Sequence, residues 1–130
     1  MTDHVLVIGY GDTGRSAVNS MLASQPDTRL TVLDTNFLAV AEATANGATA
    51  VVGDGQDRCA LDEAAADIAD RVIVAVPDDL NALLITRAVR PLNHIALIVV
   101  VIREPENHAI FASDGIVTVH MQRDPDDRQT

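Results

Sequence analysis

The chain has 130 residues, 48% of them apolar, which suits one domain with its own core and is too short for a separate catalytic domain. Its net charge of -10 comes from 19 acids against 9 bases, all of them arginine because lysine is absent, so electrostatics speak against nucleic acid as a partner. The longest apolar run, Ile95 to Ile102, is about half a membrane span; the amino terminus lacks signal-peptide character, and a single cysteine, Cys59, closes no internal disulfide, all of which suits the cytoplasm.

Val5 to Ile8 is a continuous apolar run, the pattern of a parallel strand covered on both faces. Gly9-Tyr10-Gly11-Asp12-Thr13-Gly14 stands directly behind it. A helix is predicted from about Asp12 to Ser24, with Ala17, Val18, Met21 and Leu22 on one face and Pro26 as its stop. Strand, G-x-G-x-x-G and helix in that order form the dinucleotide-binding fingerprint. Gly9 allows the sharp turn, Gly11 lets the backbone approach a pyrophosphate, and Gly14 permits close packing of helix on strand. The free N–H groups and positive dipole end at the helix start then hold phosphates without a lysine.

The second strand, Leu30 to Asp34, ends in a carboxylate about 20 residues past the last glycine, where the fingerprint has an acid for the ribose hydroxyls. The same charge repels a 2′-phosphate, so NAD or an adenosine nucleotide fits better than NADP. The next helix is capped by Thr35 or Asn36, carries Phe37, Leu38, Val40 and Ala41, and closes at Asn46-Gly47. Ala48 to Val52 is a third strand. Gly53-Asp54-Gly55 then sets Asp54 at that strand's carboxyl end, the edge where open α/β sheets bind ligands.

An alanine-rich helix over about Asp57 to Ala66 packs through Leu61 and Ala65, before a fourth strand, Val72 to Val76, that Pro77-Asp78-Asp79 ends. The helix from about Asp79 to Arg90 has Leu80, Leu83, Leu84 and Ala88 on one side, acids at its start and arginines near its end. A fifth strand over Ile95 to Ile102, a short helix over Glu106 to Ala112, and a sixth strand over Ile116 to Val119 behind Asp114-Gly115 complete the pattern. Strands alternating with helices predict an α/β fold, a Rossmann-like doubly wound parallel sheet of six strands in three αβα layers, order 3-2-1-4-5-6. The nucleotide-binding domain is expected over residues 1–122, and 123–130 as a polar tail.

His4, His94, His108 and His120 are scattered at element ends without ligand spacing, which reads as surface or capping histidines rather than a metal site. Asp78 and Asp79 complement a helix dipole, with a bound cation as the lesser alternative. Cys59 is expected to be a buried small residue.

Gly9 to Arg15, Val32-Leu33-Asp34-Thr35-Asn36, Val52-Gly53-Asp54-Gly55, Leu61, and Val74-Ala75-Val76-Pro77-Asp78-Asp79-Leu80-Asn81 together resemble the nucleotide-binding lobe of TrkA and RCK domains, regulators of potassium channels and transporters. The resemblance runs from about His4 to about His120. It implies a cytosolic module without turnover that binds NAD or NADH, alternatively ATP, ADP or AMP. It also implies a homodimer or larger ring that passes nucleotide state to the membrane subunit of a channel or transporter. By this resemblance Gly9, Gly11, Asp12, Thr13 and Gly14 would hold phosphates, Asp34 the ribose, Asp54 the adenine side, and Pro77 and Asp78 the far wall. Tyr10, Thr35, Gly53, Gly55 and Val76 complete the implied site. Arg15 looks like the family arginine that reaches a terminal phosphate.

In RCK domains the helices after strands four and five build the dimer interface, so Leu80, Leu83, Leu84, Ile110 and Phe111 are expected to serve both core and interface. The sequence departs from the family pattern in three places. Val101 stands where many members carry an arginine, two residues before the position of Arg103. His120 precedes Met121-Gln122 where the family often has Pro-Glu, and the chain is expected to be a lone nucleotide lobe or a fragment, without the carboxy-terminal lobe. The alternative functions are the nucleotide-binding half of an NAD-dependent oxidoreductase and a degenerate lobe acting only in assembly.

Overall fold

The computed structural model describes residues 3–112 and 115–120. The polar tail expected over 123–130, the Met121-Gln122 departure and Asp114 of the last turn lie outside the described residues. Six strands, β1 (His4–Ile8), β2 (Arg29–Asp34), β3 (Thr49–Val52), β4 (Arg71–Val74), β5 (Leu97–Ile102) and β6 (Val117–His120), form one sheet. They are ordered β3-β2-β1-β4-β5-β6, as the sequence predicts, and every pair is parallel. Val5 of β1 pairs with Leu30 on one side and Arg71 on the other, so β1 is the centre of the sheet.

Alternation along the strands sends successive side chains to opposite faces. Val5, Val7, Leu30 and Val32 pack with Val18 and Met21 of α1 (Asp12–Ser24) and Ala43 of α2 (Phe37–Ala45). On the other face Leu6, Ile8 and Val74 pack with Leu61 of α3 (Arg58–Glu63), Ile85 and Val89 of α4 (Asp79–Val89), and Phe111 of α5 (His108–Phe111). Each fully buried aliphatic side chain contributes roughly 1.5–3 kcal/mol. Two cores therefore hold the central strand from both sides, which is why its run is apolar without alternation.

Several faces and boundaries differ from the sequence expectation, each for a local reason. α4 buries Ala82, Ile85, Thr86 and Val89; of the side expected to pack, Leu83 and Ala88 are half-buried against the core, whereas Leu80 is 62% and Leu84 40% exposed. Apolar residues surround most of this helix, and its first residue, buried Asp79, is hydrogen-bonded to the chain after β5, which anchors that end against the sheet. α2 is capped by Asn36, whose side chain accepts from the N–H groups of Leu38 and Ala39. That places Phe37 and Leu38 in the first turn facing outward, while Val40 and Ala43 are buried and Ala41 is exposed.

The alanine-rich helix stops at Glu63, and Ala65 adopts a left-handed φ of 59° before a 3-10 turn over Ala66–Ile68. Ala60, Leu61, Ala64 and Ala66 are the residues buried there, rather than Ala65. Buried Asn93 fixes this corner: its Nδ2 donates to Ala66 O and Ala69 O, and its Oδ1 accepts from Ile95 N and Ala96 N. Those two donors are committed before the strand begins, so β5 starts at Leu97 and Ile95 is left in solvent. Cys59 faces outward and is exposed, opposite the buried pair Ala60 and Leu61. His4 is buried rather than superficial, with Nε2 hydrogen-bonded to Thr31 Oγ1 at 3.0 Å across the β1–β2 pair. Phe111, expected to be shared with an interface, is 1% exposed and belongs wholly to the core.

Candidate functional site

The carboxyl ends of β1, β2, β3, β4 and β5 surround one cleft of about 440 Å3, at the point where the strand order reverses. Its turn is shaped by backbone constraints. Gly9 has a φ of +101°, and a Cβ there would lie 2.4 Å from Ala75 O. A Cβ on Gly14 would lie 1.9 Å from Gly9 O, so α1 rests directly on the turn. Gly11 meets nothing within 4 Å and opens onto the cleft. As the residue before α1, it supplies no side chain to cap the helix, and the N–H of Arg15 is the donor to Gly11 O. An uncapped helix start beside a space without side chains suits an anionic group.

Asp34 stands at the end of β2 with both carboxylate oxygens in place. Its Oδ2 accepts from Tyr10 N at 2.6 Å and its Oδ1 from Asn36 N at 2.8 Å. Each oxygen keeps a lone pair, so the carboxylate can still accept hydroxyl donors from the cleft. Asp54 is held similarly at the end of β3, its Oδ1 accepting from Gln56 N at 2.9 Å. Gln56 Nε2 in turn donates to Asn81 Oδ1 at 2.6 Å, joining the loop after β3 to the first turn of α4.

Gly9, Tyr10, Gly11, Asp12, Thr13, Asp34, Thr35, Gly53, Asp54, Gly55, Val76 and Pro77, all singled out in the sequence, line this cleft together. Gly14, Arg15 and Asp78 do not. Gly14 is buried under the turn. Asp78 caps α4, its side chain accepting from Leu80 N at 3.0 Å. Arg15 is drawn to α2: its Nη2 donates to Glu42 Oε2 at 2.9 Å and its Nη1 to Asp12 Oδ1 at 3.2 Å. Its guanidinium carbon lies 5.6 Å from the centre of the Tyr10 ring. Tyr10 itself is a core residue, with its hydroxyl accepting from Asn46 Nδ2 at 2.9 Å.

The lining also includes residues the sequence reading did not single out. Ile8, Leu33, Ala75 and Ile85 make an apolar floor, and Asn36, Asn81 and Arg103 add polar groups. Arg103 was legible in one respect, because it follows the last residue of β5 and carboxyl ends of strands are where ligands bind. Val101, where an arginine was expected by resemblance, is half-buried within that strand, and the cation stands two residues later.

Asp79 is the buried carboxylate beside this wall. Its Oδ1 accepts from Arg103 N at 2.8 Å; its Oδ2 accepts from Glu104 N at 3.0 Å and Asn107 Nδ2 at 2.8 Å. Burial pushes its pKa up, but these hydrogen bonds and the nearby Arg103 charge outweigh that and hold it below the ordinary carboxylate value. Asp79 is therefore an ionised structural clamp. Among the described residues no group of three or more His, Cys, Asp or Glu side chains could hold a metal ion, and no helix is long and apolar enough to cross a membrane.

The family model described as TrkA-N domain matches residues 5–122. No curated protein matches the chain. Among solved structures, the TrkA-N domain of inner membrane protein YbaL from Escherichia coli superposes with a TM-score of 0.83 at 23% identity, over 99% of this chain and 93% of that one. The NAD(P)-binding domain of an exopolyphosphatase-related protein from Archaeoglobus fulgidus gives 0.79 at 20% identity, covering 90% and 86%. The GsuK channel bound to NAD gives 0.78 at 19% identity, covering 92% of this chain and 21% of that one. At these identities the superpositions establish the shared fold.

Proposed function

The chain belongs to the TrkA-N domain family, and on that premise we propose that it is a non-catalytic regulatory domain that binds NAD or NADH and controls a potassium channel or transporter. ATP, ADP and AMP are the alternative ligands of the same cleft. The observation that carries the reading is Asp34, fixed through Tyr10 N and Asn36 N beside an uncapped helix start. A carboxylate so held accepts ribose hydroxyls and repels a 2′-phosphate, which favours NAD(H) over NADP(H). The open space over Gly11 leaves room for the pyrophosphate.

The regulatory reading, as against turnover, is supported by the lining itself. Its ionisable side chains are Asp12, Asp34, Asp54, Arg103 and the hydroxyl-bonded Tyr10, and no histidine, cysteine or lysine is among them. That set binds and orients a nucleotide but offers no ordinary acid and base pair for polarising a carbonyl. NAD bound to the GsuK channel is a property of that protein; by analogy it supports a dinucleotide here, and ADP bound to GsuK supports the alternative. A partner at the cytoplasmic face of the membrane and a homodimer or ring built through Leu80, Leu84 and Ile110 belong to the same proposal. These three side chains are exposed on α4 and α5.

Isothermal titration of the chain, freed of carried-over ligand, against NAD, NADH, ATP, ADP and AMP tests this reading. Saturable binding of NAD or NADH that Asp34→Ala abolishes is the expected result. Failure of all five to bind would overturn it.

A further inference from the structure

Resting on the nucleotide reading, we infer that Arg103 recognises the charge a ligand carries beyond its first phosphate, and that Asp79 is the residue that positions Arg103. Two cations flank the glycine-rich turn, and they are in different states. Arg15 lies outside the cleft lining, held by Glu42, Asp12 and the Tyr10 ring. Arg103 lines the cleft, and its guanidinium forms no ion pair among the described residues. It is the cation that a ligand in the cleft meets.

Its position also selects which part of a ligand it meets. Asp34 and Asp54 stand at the ends of β2 and β3, on one side of the turn that follows β1. Arg103 follows β5, two strands away from β1 on the other side. Neighbouring strands are about 4.8 Å apart, so this side chain starts roughly 10 Å across the sheet from the turn. With a ribose at Asp34 and a first phosphate at the turn, Arg103 reaches the group that follows. That group is the second phosphate of a nucleoside diphosphate or of a dinucleotide. A monophosphate ends before it.

Asp79 determines where that arginine stands. The carboxylate is 9% exposed and accepts the backbone N–H groups of Arg103 and Glu104 together with the Asn107 side chain, which fixes the whole corner between β5 and α5. Asp79 is the first residue of α4, whose first turn also supplies Asn81 to the cleft and is tied by Gln56 to the loop after β3. Asn81 and Arg103 are thus set by one carboxylate, though it does not itself line the cleft. Asparagine at position 79 would present an NH2 group where at least one N–H donor needs an acceptor.

The test measures NAD, ADP and AMP binding to wild type, Arg103→Ala, Arg103→Lys, Asp79→Asn and the Asp79→Asn/Arg103→Ala double variant. Arg103→Ala is expected to weaken NAD and ADP at least tenfold, Arg103→Lys to recover part of that loss, and AMP to bind wild type and Arg103→Ala alike. Asp79→Asn is expected to weaken NAD and ADP in the same direction, and to add nothing when Arg103 is already alanine. Should Asp79→Asn fail to fold, Asn107→Ala replaces it, with a smaller loss that again requires Arg103. NAD and ADP binding unchanged in Arg103→Ala, or an equal further loss on adding the position 79 or 107 change to it, overturns the inference alone. A wild-type protein that binds none of the three nucleotides overturns the nucleotide reading and the inference with it.

Discussion

Asp34 Oδ2 accepts a hydrogen bond of 2.6 Å from the backbone N–H of Tyr10, so the end of the second strand fixes the first step of the glycine-rich turn. The acid expected to meet a ribose is thereby also a structural part of the turn that would receive the phosphates. Binding and shape are joined in one side chain.

Removing that carboxylate has two expected consequences. Asp34→Ala leaves the N–H groups of Tyr10 and Asn36 without their acceptor, at a cost of about 1–3 kcal/mol in folding stability. It also lowers NAD affinity at least about tenfold, equivalent to roughly 1.4 kcal/mol. Urea unfolding and calorimetric titration measure the two separately; unchanged affinity in a folded variant would remove Asp34 from the site.

Two glycines of the same motif should respond differently to alanine. At Gly14 the added methyl would stand 1.9 Å from Gly9 O, and backbone against helix leaves it little room to shift. Gly14→Ala should lose about 3 kcal/mol or more. At Gly11 nothing lies within 4 Å, so Gly11→Ala should change stability by about 1 kcal/mol or less while weakening nucleotide binding by blocking the approach. Thermal melts with and without NAD would separate them, and equal melting losses would contradict this division of roles.

His4 predicts a pH dependence of stability. Burial is the largest cause lowering its pKa below 6.5 and the Arg29 charge assists, while Asp70, Asp3 and a backbone hydrogen bond oppose them. The folded chain therefore favours neutral imidazole. Its contribution is complete above the unfolded value near 6.5 and is lost as pH falls from there through the lower folded value. Denaturation midpoints should drop as pH falls below about 6.5, and His4→Gln should flatten that slope. An unchanged slope in the variant would assign the dependence to other groups.

Assembly is best tested away from the core. Phe111→Asp would place a charge at a 1% exposed position and should unfold the chain, so a change in mass there would carry no information. Leu84→Asp on the exposed side of α4 should fold with wild-type stability to within about 0.5 kcal/mol and reduce a dimer to a monomer. Multi-angle light scattering reads this directly; equal masses for wild type and variant would place any interface elsewhere.

The strand order, the turn at Gly9 and the close packing at Gly14 were legible because they follow from local rules: an apolar run buried on both faces, a positive φ, a helix set directly on a turn. The cleft was legible wherever its residues adjoin those signals, as at Asp34 and Gly53 to Gly55. What escaped depended on which way elements turn. Of the four leucine and alanine positions on α4, Leu83 and Ala88 pack against the core while Leu80 and Leu84 stay exposed, and the start of the helix is tied by Asp79 to residues about 24 positions later, a contact invisible to any local period. Arg103 escaped for the same reason, since only sheet topology brings it to the cleft that Gly11 lines. The helix carries Phe37 and Leu38 as expected, but that both face solvent was not legible, because the sequence left Thr35 and Asn36 open as the cap and the cap decides which residues fall in the first helical turn.

The chain has no tryptophan and a single tyrosine. Tyr10 is that residue, buried in the turn with Arg15 over its ring and Asn46 on its hydroxyl. The protein therefore carries its own optical reporter. Ultraviolet emission and near-ultraviolet dichroism arise chiefly from one buried ring behind the glycine-rich turn, so turn rearrangement on ligand arrival and loss of the Arg15 contact can be followed without attaching a dye.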